Sequence, residues 1–165
     1  MRILSRSIAS VLCAVAVFGL QGCAAADVDV AASVKAGNIT TGWFDAGIVG
    51  GKNKLVPSAS FTLTNSSTVK LSGLQVFAVF RHPGDPEELG SSLIVLRGDE
   101  ALAPTSTSKP ITVRANWGFT GEQPRAQMLM HKDFRDARIE IFAKYGATGY
   151  VRLAEVPVTR QLLTN

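Results

Sequence analysis

From residue 60 onward the chain repeatedly alternates apolar and polar side chains with a period of two, the signature of strands buried on one face. In Ser60-Phe61-Thr62-Leu63-Thr64 the alternation is strict, which places Phe61 and Leu63 on one buried face before Asn65-Ser66-Ser67 turns the chain. Leu74, Val76, Ala78 and Phe80 repeat the period, with Phe77 and Val79 on the opposite face, and Ile139, Ile141 and Ala143 do so between Arg138, Glu140 and Lys144. Further strands are expected at Ile39–Val49, ahead of a turn over Gly50–Lys54, and at Leu89–Arg97, Lys109–Arg114 and Tyr150–Leu162. In the last of these the apolar phase moves from Val151 and Leu153 to Val156 and Val158, which predicts a bulge near Ala154 and Glu155. Arg81-His82-Pro83-Gly84-Asp85-Pro86 must be a loop, since two prolines and a glycine do not fit inside a ladder. The segment Gly98–Ser108 is a second loop.

About seven short strands at this spacing predict an all-β fold, an immunoglobulin-like antiparallel β-sandwich. One short helical insertion is expected from Pro124 to about His131, with Glu122 adding a carboxylate near the positive end of its dipole.

The first residues follow another pattern. Arg2 and Arg6 precede an apolar run from Ile8 to Leu20, the make-up of an export signal and too short for a spanning helix, which needs about 20 apolar residues. Leu20-Gln21-Gly22-Cys23 resembles the lipobox of bacterial lipoprotein precursors, with Gln21 a less usual residue at its position. The resemblance implies cleavage after Gly22, a diacylglyceryl thioether on Cys23 and acylation of its new amine. Ala24 follows where an aspartate would imply retention, so it implies the outer membrane, with the domain facing the periplasm. The expected organisation is thus a signal peptide over residues 1–22, a flexible tether over 23–37 and one sandwich domain over 38–165.

Cysteine usage and charge narrow the chemistry. Of the two cysteines, Cys13 would leave with the signal and Cys23 would be acylated, so the mature chain keeps no thiol for a disulfide, a zinc site or a nucleophile. The net charge of +4 falls to +2 once Arg2 and Arg6 are removed, with no basic run longer than two residues, so no nucleic-acid footprint is present. The expected partners are the membrane, through the anchor, and an envelope protein.

A second resemblance rests on Phe61-Thr62-Leu63-Thr64-Asn65, on the Leu-x-Val strand at Leu74-Gln75-Val76, and on the turn Ala103-Pro104-Thr105-Ser106. Together these resemble the immunoglobulin-like domains of bacterial lipoproteins, the FxLYD type among them. Where that type would carry its tyrosine and aspartate, this chain has Phe77-Ala78-Val79-Phe80. Trp117–Leu129 is similar to a segment of exported bacterial proteins, a likeness that implies no function.

Each candidate site stands beside a structural alternative. Asp85, Glu87 and Glu88 could offer hard oxygen ligands to calcium, but they lack the alternating spacing of a dedicated loop, and a solvated turn is favoured. His82 and His131 would need partners supplied by the fold before acting as ligands or bases. No G-x-S-x-G elbow or phosphate loop is present, so catalytic residues, a metal and a cofactor are all expected to be absent.

The densest unusual segment is Asn116–Arg138, which mixes Trp117, Phe119, Met128 and Met130 with Arg125, Arg135 and Arg138, residue types enriched at interaction hot spots. Trp117, Phe119, Arg125 and Arg135 are the expected interface, whereas Met128 or Leu129 would close the core. Trp43 and Phe44 are adjacent on a strand, so one should face inward and the other outward. The leading functional expectation is a non-catalytic binding or scaffolding module of the cell envelope. The alternatives are an accessory lipoprotein of lipid transport, which requires an apolar groove between the sheets, and, less favoured, a hydrolase with an unrecognised site.

Overall fold

A computed structural model describes residues 28–163, so the expected export signal and lipobox, with Cys23, lie outside the described residues. The described chain is an all-β sandwich of two sheets. One sheet holds β1 (Val34–Val49), β2 (Lys52–Asn65), β5 (Ile111–Arg114), β6 (Phe119–Gly121) and β9 (Leu162–Leu163). The other holds β3 (Leu74–Arg81), β4 (Glu88–Leu96), β7 (Arg138–Lys144) and β8 (Val151–Pro157). The first runs β5-β2-β1-β9, with β6 also paired to β2, and the second runs β4-β3-β7-β8. The chain crosses between sheets after β2, β4, β6 and β8, an immunoglobulin-like arrangement.

The alternation read from the sequence accounts for the core. Phe61 and Leu63 from one sheet meet Leu74, Val76, Ala78, Phe80, Ile139, Ile141 and Ala143 from the other, all buried. Trp43 is buried while Phe44 faces outward beneath the Arg114 guanidinium, 3.4 Å from the ring centre. Val79, on the outer face, is also buried, beside Glu140 in the register.

The fold departs from the sequence pattern in five places. Part of the expected tether is inside the domain: Asp29 caps a one-turn helix α1 (Val30–Ser33), accepting from the Ala31 and Ala32 N–H groups, and Val28, Val30 and Val34 are buried in the core. The small residues of this segment suggest a linker, but three valines at its end find an apolar surface to cover. The first turn is only Gly50-Gly51, with φ of 58° and 78°, the double left-handed turn that matches strand twist, and Lys52–Lys54 belong to β2.

The bulge in the last strand falls at Leu153, which has no partner because Phe142 faces Arg152 and Ile141 faces Ala154. That strand also ends at Pro157 instead of Leu162. The chain changes sheets, and β9 lies parallel to β1, so the sandwich is not wholly antiparallel. There Thr159 N–H donates to Thr41 Oγ1, Trp43 N–H donates to Gln161 O, and the Gln161 amide donates to Thr41 O. Finally, the expected helix is a single turn, α2 (Arg125–Met128), continued by turns, and the strand β6 precedes it. Met128 and Leu129 are buried, so this insertion does close the core.

Candidate functional site

The segment after β5 runs toward β6 along a narrow path. Gly118 sits so close to β2 that an added Cβ would lie 2.0 Å from Leu55 O, and a Cβ on Gly90 of β4 would lie 2.5 Å from Asn116 N. These two glycines let the edges of the two sheets meet, where Trp117 N–H donates to Leu89 O at 2.8 Å. Lys54 Nζ donates to Asn116 O and stands 5.8 Å from the centre of the Trp117 ring. The backbone beneath Trp117 is therefore held from both sheets while the indole is 69% exposed.

Trp117 rims a recess of about 340 Å³ that it shares with His82, Glu87, Glu88, Leu89 and Arg135. A smaller recess of about 180 Å³ adjoins it, sharing His82, Leu89 and Arg135 and adding Trp43, Gly118, Phe119 and Asp133. Its walls are aromatic: Phe134 lies edge-on to Trp43 at 4.5 Å and to Phe119 at 5.3 Å, and Phe119 also packs against His131 at 5.6 Å. The buried Trp43 indole N–H has no hydrogen-bond acceptor among the described residues.

Several charged groups around the recess are paired, among them Arg135 and Glu88. Arg135 donates to Asp85 at 3.1 Å, and the Glu87 N–H, followed by Arg135, holds the Asp85 carboxyl below its ordinary value. Arg81 bridges Glu88 and Glu140 at 2.7 and 2.6 Å. His82 Nδ1 lies 2.7 Å from Asp136 O, which makes that nitrogen the donor and leaves Nε2 as the acceptor in the neutral ring. Arg125 pairs with Asp45, whose carboxyl is lowered first by that guanidinium and then by the Gly47 N–H.

The structure thus brings three of the four expected interface residues to one end of the sandwich in unequal roles. Trp117 is exposed at the rim, Arg135 is exposed beside it, and Phe119 is half-buried as a wall. The expectation that Phe119 is exposed is corrected, because β6 pairing turns its ring toward Phe134. Arg125 serves as a tie between α2 and β1 through Asp45 and lines neither recess. Met130, on the same segment, is 85% exposed.

Asp85, Glu87 and Glu88 do not converge on a common point, and among the described residues no group of three metal-ligating side chains forms. His82, which the sequence offered only as an isolated titratable residue, joins the recess through a loop that no local pattern places there. Ser66, Ser106 and Ser108 donate their hydroxyls to backbone carbonyls in turns.

No family model matches this chain, and no curated protein matches it. The fold itself defines an immunoglobulin-like β-sandwich whose distinguishing feature is a rigidly mounted, exposed tryptophan over a half-apolar recess. Among the described residues no helix is long and apolar enough to cross a membrane.

Proposed function

We propose that the protein is a lipid-anchored envelope lipoprotein, attached through Cys23, whose sandwich is a non-catalytic binding module that offers the Trp117 end to a protein partner. The observation that carries this reading is Trp117: an indole 69% exposed on a backbone clamped between both sheets, with Arg135 beside it. Ordering an aromatic side chain in advance lowers the entropic cost of association, which is how a few residues come to dominate an interface. The recess beneath mixes aromatic walls with His82 and Arg135, a surface suited to a partner side chain that carries both an apolar body and an acceptor.

The test is affinity purification of the natively lipidated protein from gently solubilised, cross-linked membranes, comparing wild type with a Trp117→Ala, Arg135→Ala variant. A specific protein retained by wild type and lost from the variant supports the module and its surface. Retention of every captured protein by the variant removes the interface from Trp117 and Arg135. Mass spectrometry of the same material reports whether Cys23 carries diacylglycerol, and an unmodified Cys23 ends the anchored reading.

A second reading, accessory lipid transport, draws support from a cleft of about 540 Å³ beside the outer strands β4 and β5. Ile94, Leu96, Leu102 and Ile111 supply its apolar lining, but Asp99, Glu100 and Lys109 share the walls. Phospholipid co-purifying with the protein beyond its own anchor would favour this reading over the first.

A further inference from the structure

The outer face of the β4-β3-β7-β8 sheet carries an apolar row that the sandwich core does not use. In the strand register Leu93, Phe77 and Phe142 lie side by side across three strands, with Arg152 next to Phe142 on the fourth. Tyr150 continues the patch 6.1 Å from Phe77, its hydroxyl donating to Gln75 Oε1 and its ring 5.7 Å from Lys144 Nζ. Leu93 is 58% and Tyr150 45% exposed, and Phe77 and Phe142 are half-buried. Aromatic rings with a polar tip, flanked by cations on aliphatic stems, suit the boundary between lipid headgroups and acyl chains.

Where the chain enters the domain says what covers this patch. Val28 is buried against the core and, with Asp29 and Val30, lines a groove whose other wall is Thr148, Gly149, Tyr150 and Val151. Only four residues, Ala24 to Asp27, separate Val28 from Cys23. Even fully extended, five residue steps span no more than about 18 Å. Met130, by contrast, follows α2, which packs against β2 of the other sheet.

Resting on the proposed lipidation of Cys23, we infer that the row Leu93-Phe77-Phe142 with Tyr150 docks on the bilayer surface holding the anchor, and that Met130, on the side of the other sheet, stays off it. The short span concentrates this patch at the membrane, so weak interfacial contacts act intramolecularly and need little intrinsic affinity. Lys144 strengthens the contact when the lipids are anionic, whereas Arg152 is engaged by Glu155 at 2.6 Å and Glu140 at 3.6 Å.

The test uses the full lipidated protein in vesicles of phosphatidylethanolamine and phosphatidylglycerol containing a nitroxide-labelled lipid. A fluorophore is placed through Ser91→Cys, on the outward side of β4, or through Met130→Cys at the far end. Strong quenching at Ser91→Cys with little at Met130→Cys is the expected result. Adding Leu93→Asp should remove most of the Ser91→Cys quenching, whereas Leu93→Phe should keep it. Equal quenching at both sites on a protein whose Cys23 is shown to be lipidated overturns the docking face alone. Energy transfer between labelled copies in place of lipid quenching overturns it in favour of a second copy. An unlipidated Cys23 overturns the anchored reading and this inference together.

Discussion

The two ends of the sandwich are closed by different chemistry. At the end where the chain enters, loops are tied by one buried amide: Asn65 donates to the Val69, Leu102 and Ala103 carbonyls and accepts from the Ser67 N–H and hydroxyl. Leu71 and Leu102 form a bridge beneath it, both buried. At the far end, arginine–carboxylate pairs do the tying: Arg125 with Asp45, Arg135 with Asp85, and Arg160 with Asp136. Here large side chains stay in solvent, Met130, Ile48 and Trp117 above all. A buried amide that satisfies several backbone groups holds a loop with little dependence on pH or salt, whereas exposed ion pairs respond to both. One end is built to stay shut, and the other leaves large side chains in solvent.

The largest expected effect is at the first end. Asn65→Ala removes the amide's bonds to the Val69, Leu102 and Ala103 carbonyls and leaves the Ser67 N–H without its acceptor, and at about 1 kcal/mol for each bond should cost about 3–4 kcal/mol in urea unfolding. If the cost is instead close to that of an exposed substitution, the amide is not what distinguishes the two ends. Next comes Gly118→Ala, whose methyl group would press on the β2 backbone at Leu55. Overpacking of this kind should cost about 2–3 kcal/mol, and hydrogen exchange should rise at Phe119–Gly121 before it rises anywhere in β3 or β7.

Acid should sharpen the contrast. Arg125 lowers Asp45, Arg160 lowers Asp136, and the Glu87 N–H with Arg135 lowers Asp85, all from an ordinary value near 3.8. A carboxyl depressed in the folded state contributes stability that is complete above its unfolded value and is lost as the pH falls through the folded one. Exchange protection at residues 119–137 should therefore fall below about pH 4, while protection around Asn65 and Leu102 persists. Simultaneous loss at both ends would argue against separate fastening. The smallest effect is expected for Trp117→Ala, which should change unfolding stability by no more than about 0.5 kcal/mol while abolishing capture of the proposed partner.

Periodicity made the core legible. A period of two names the inward residues of β3 and β7 because alternate Cβ atoms point to opposite faces, whatever lies across the sheet. It also separated Trp43 from Phe44. The recess was legible only in part. Trp117 and Arg135 stood out as residue types, but Phe119 looked as exposed as Trp117, since nothing local announces that Leu55 will pair with it. His82 joined the site through a loop contact with Asp136.

Local pattern, then, determined most of the strands, their inward faces and a turn beginning at Gly50, because these depend on neighbouring side chains and backbone preferences. Tertiary structure alone decided that the valines at 28–34 belong to the core and that β9 leaves its predicted strand to lie along β1. It alone also set Trp117 on a clamped ridge beside His82 and Arg135. Each of those outcomes turns on whether a distant surface is present to accept an apolar group or a hydrogen bond, and that surface exists only once the two sheets have packed.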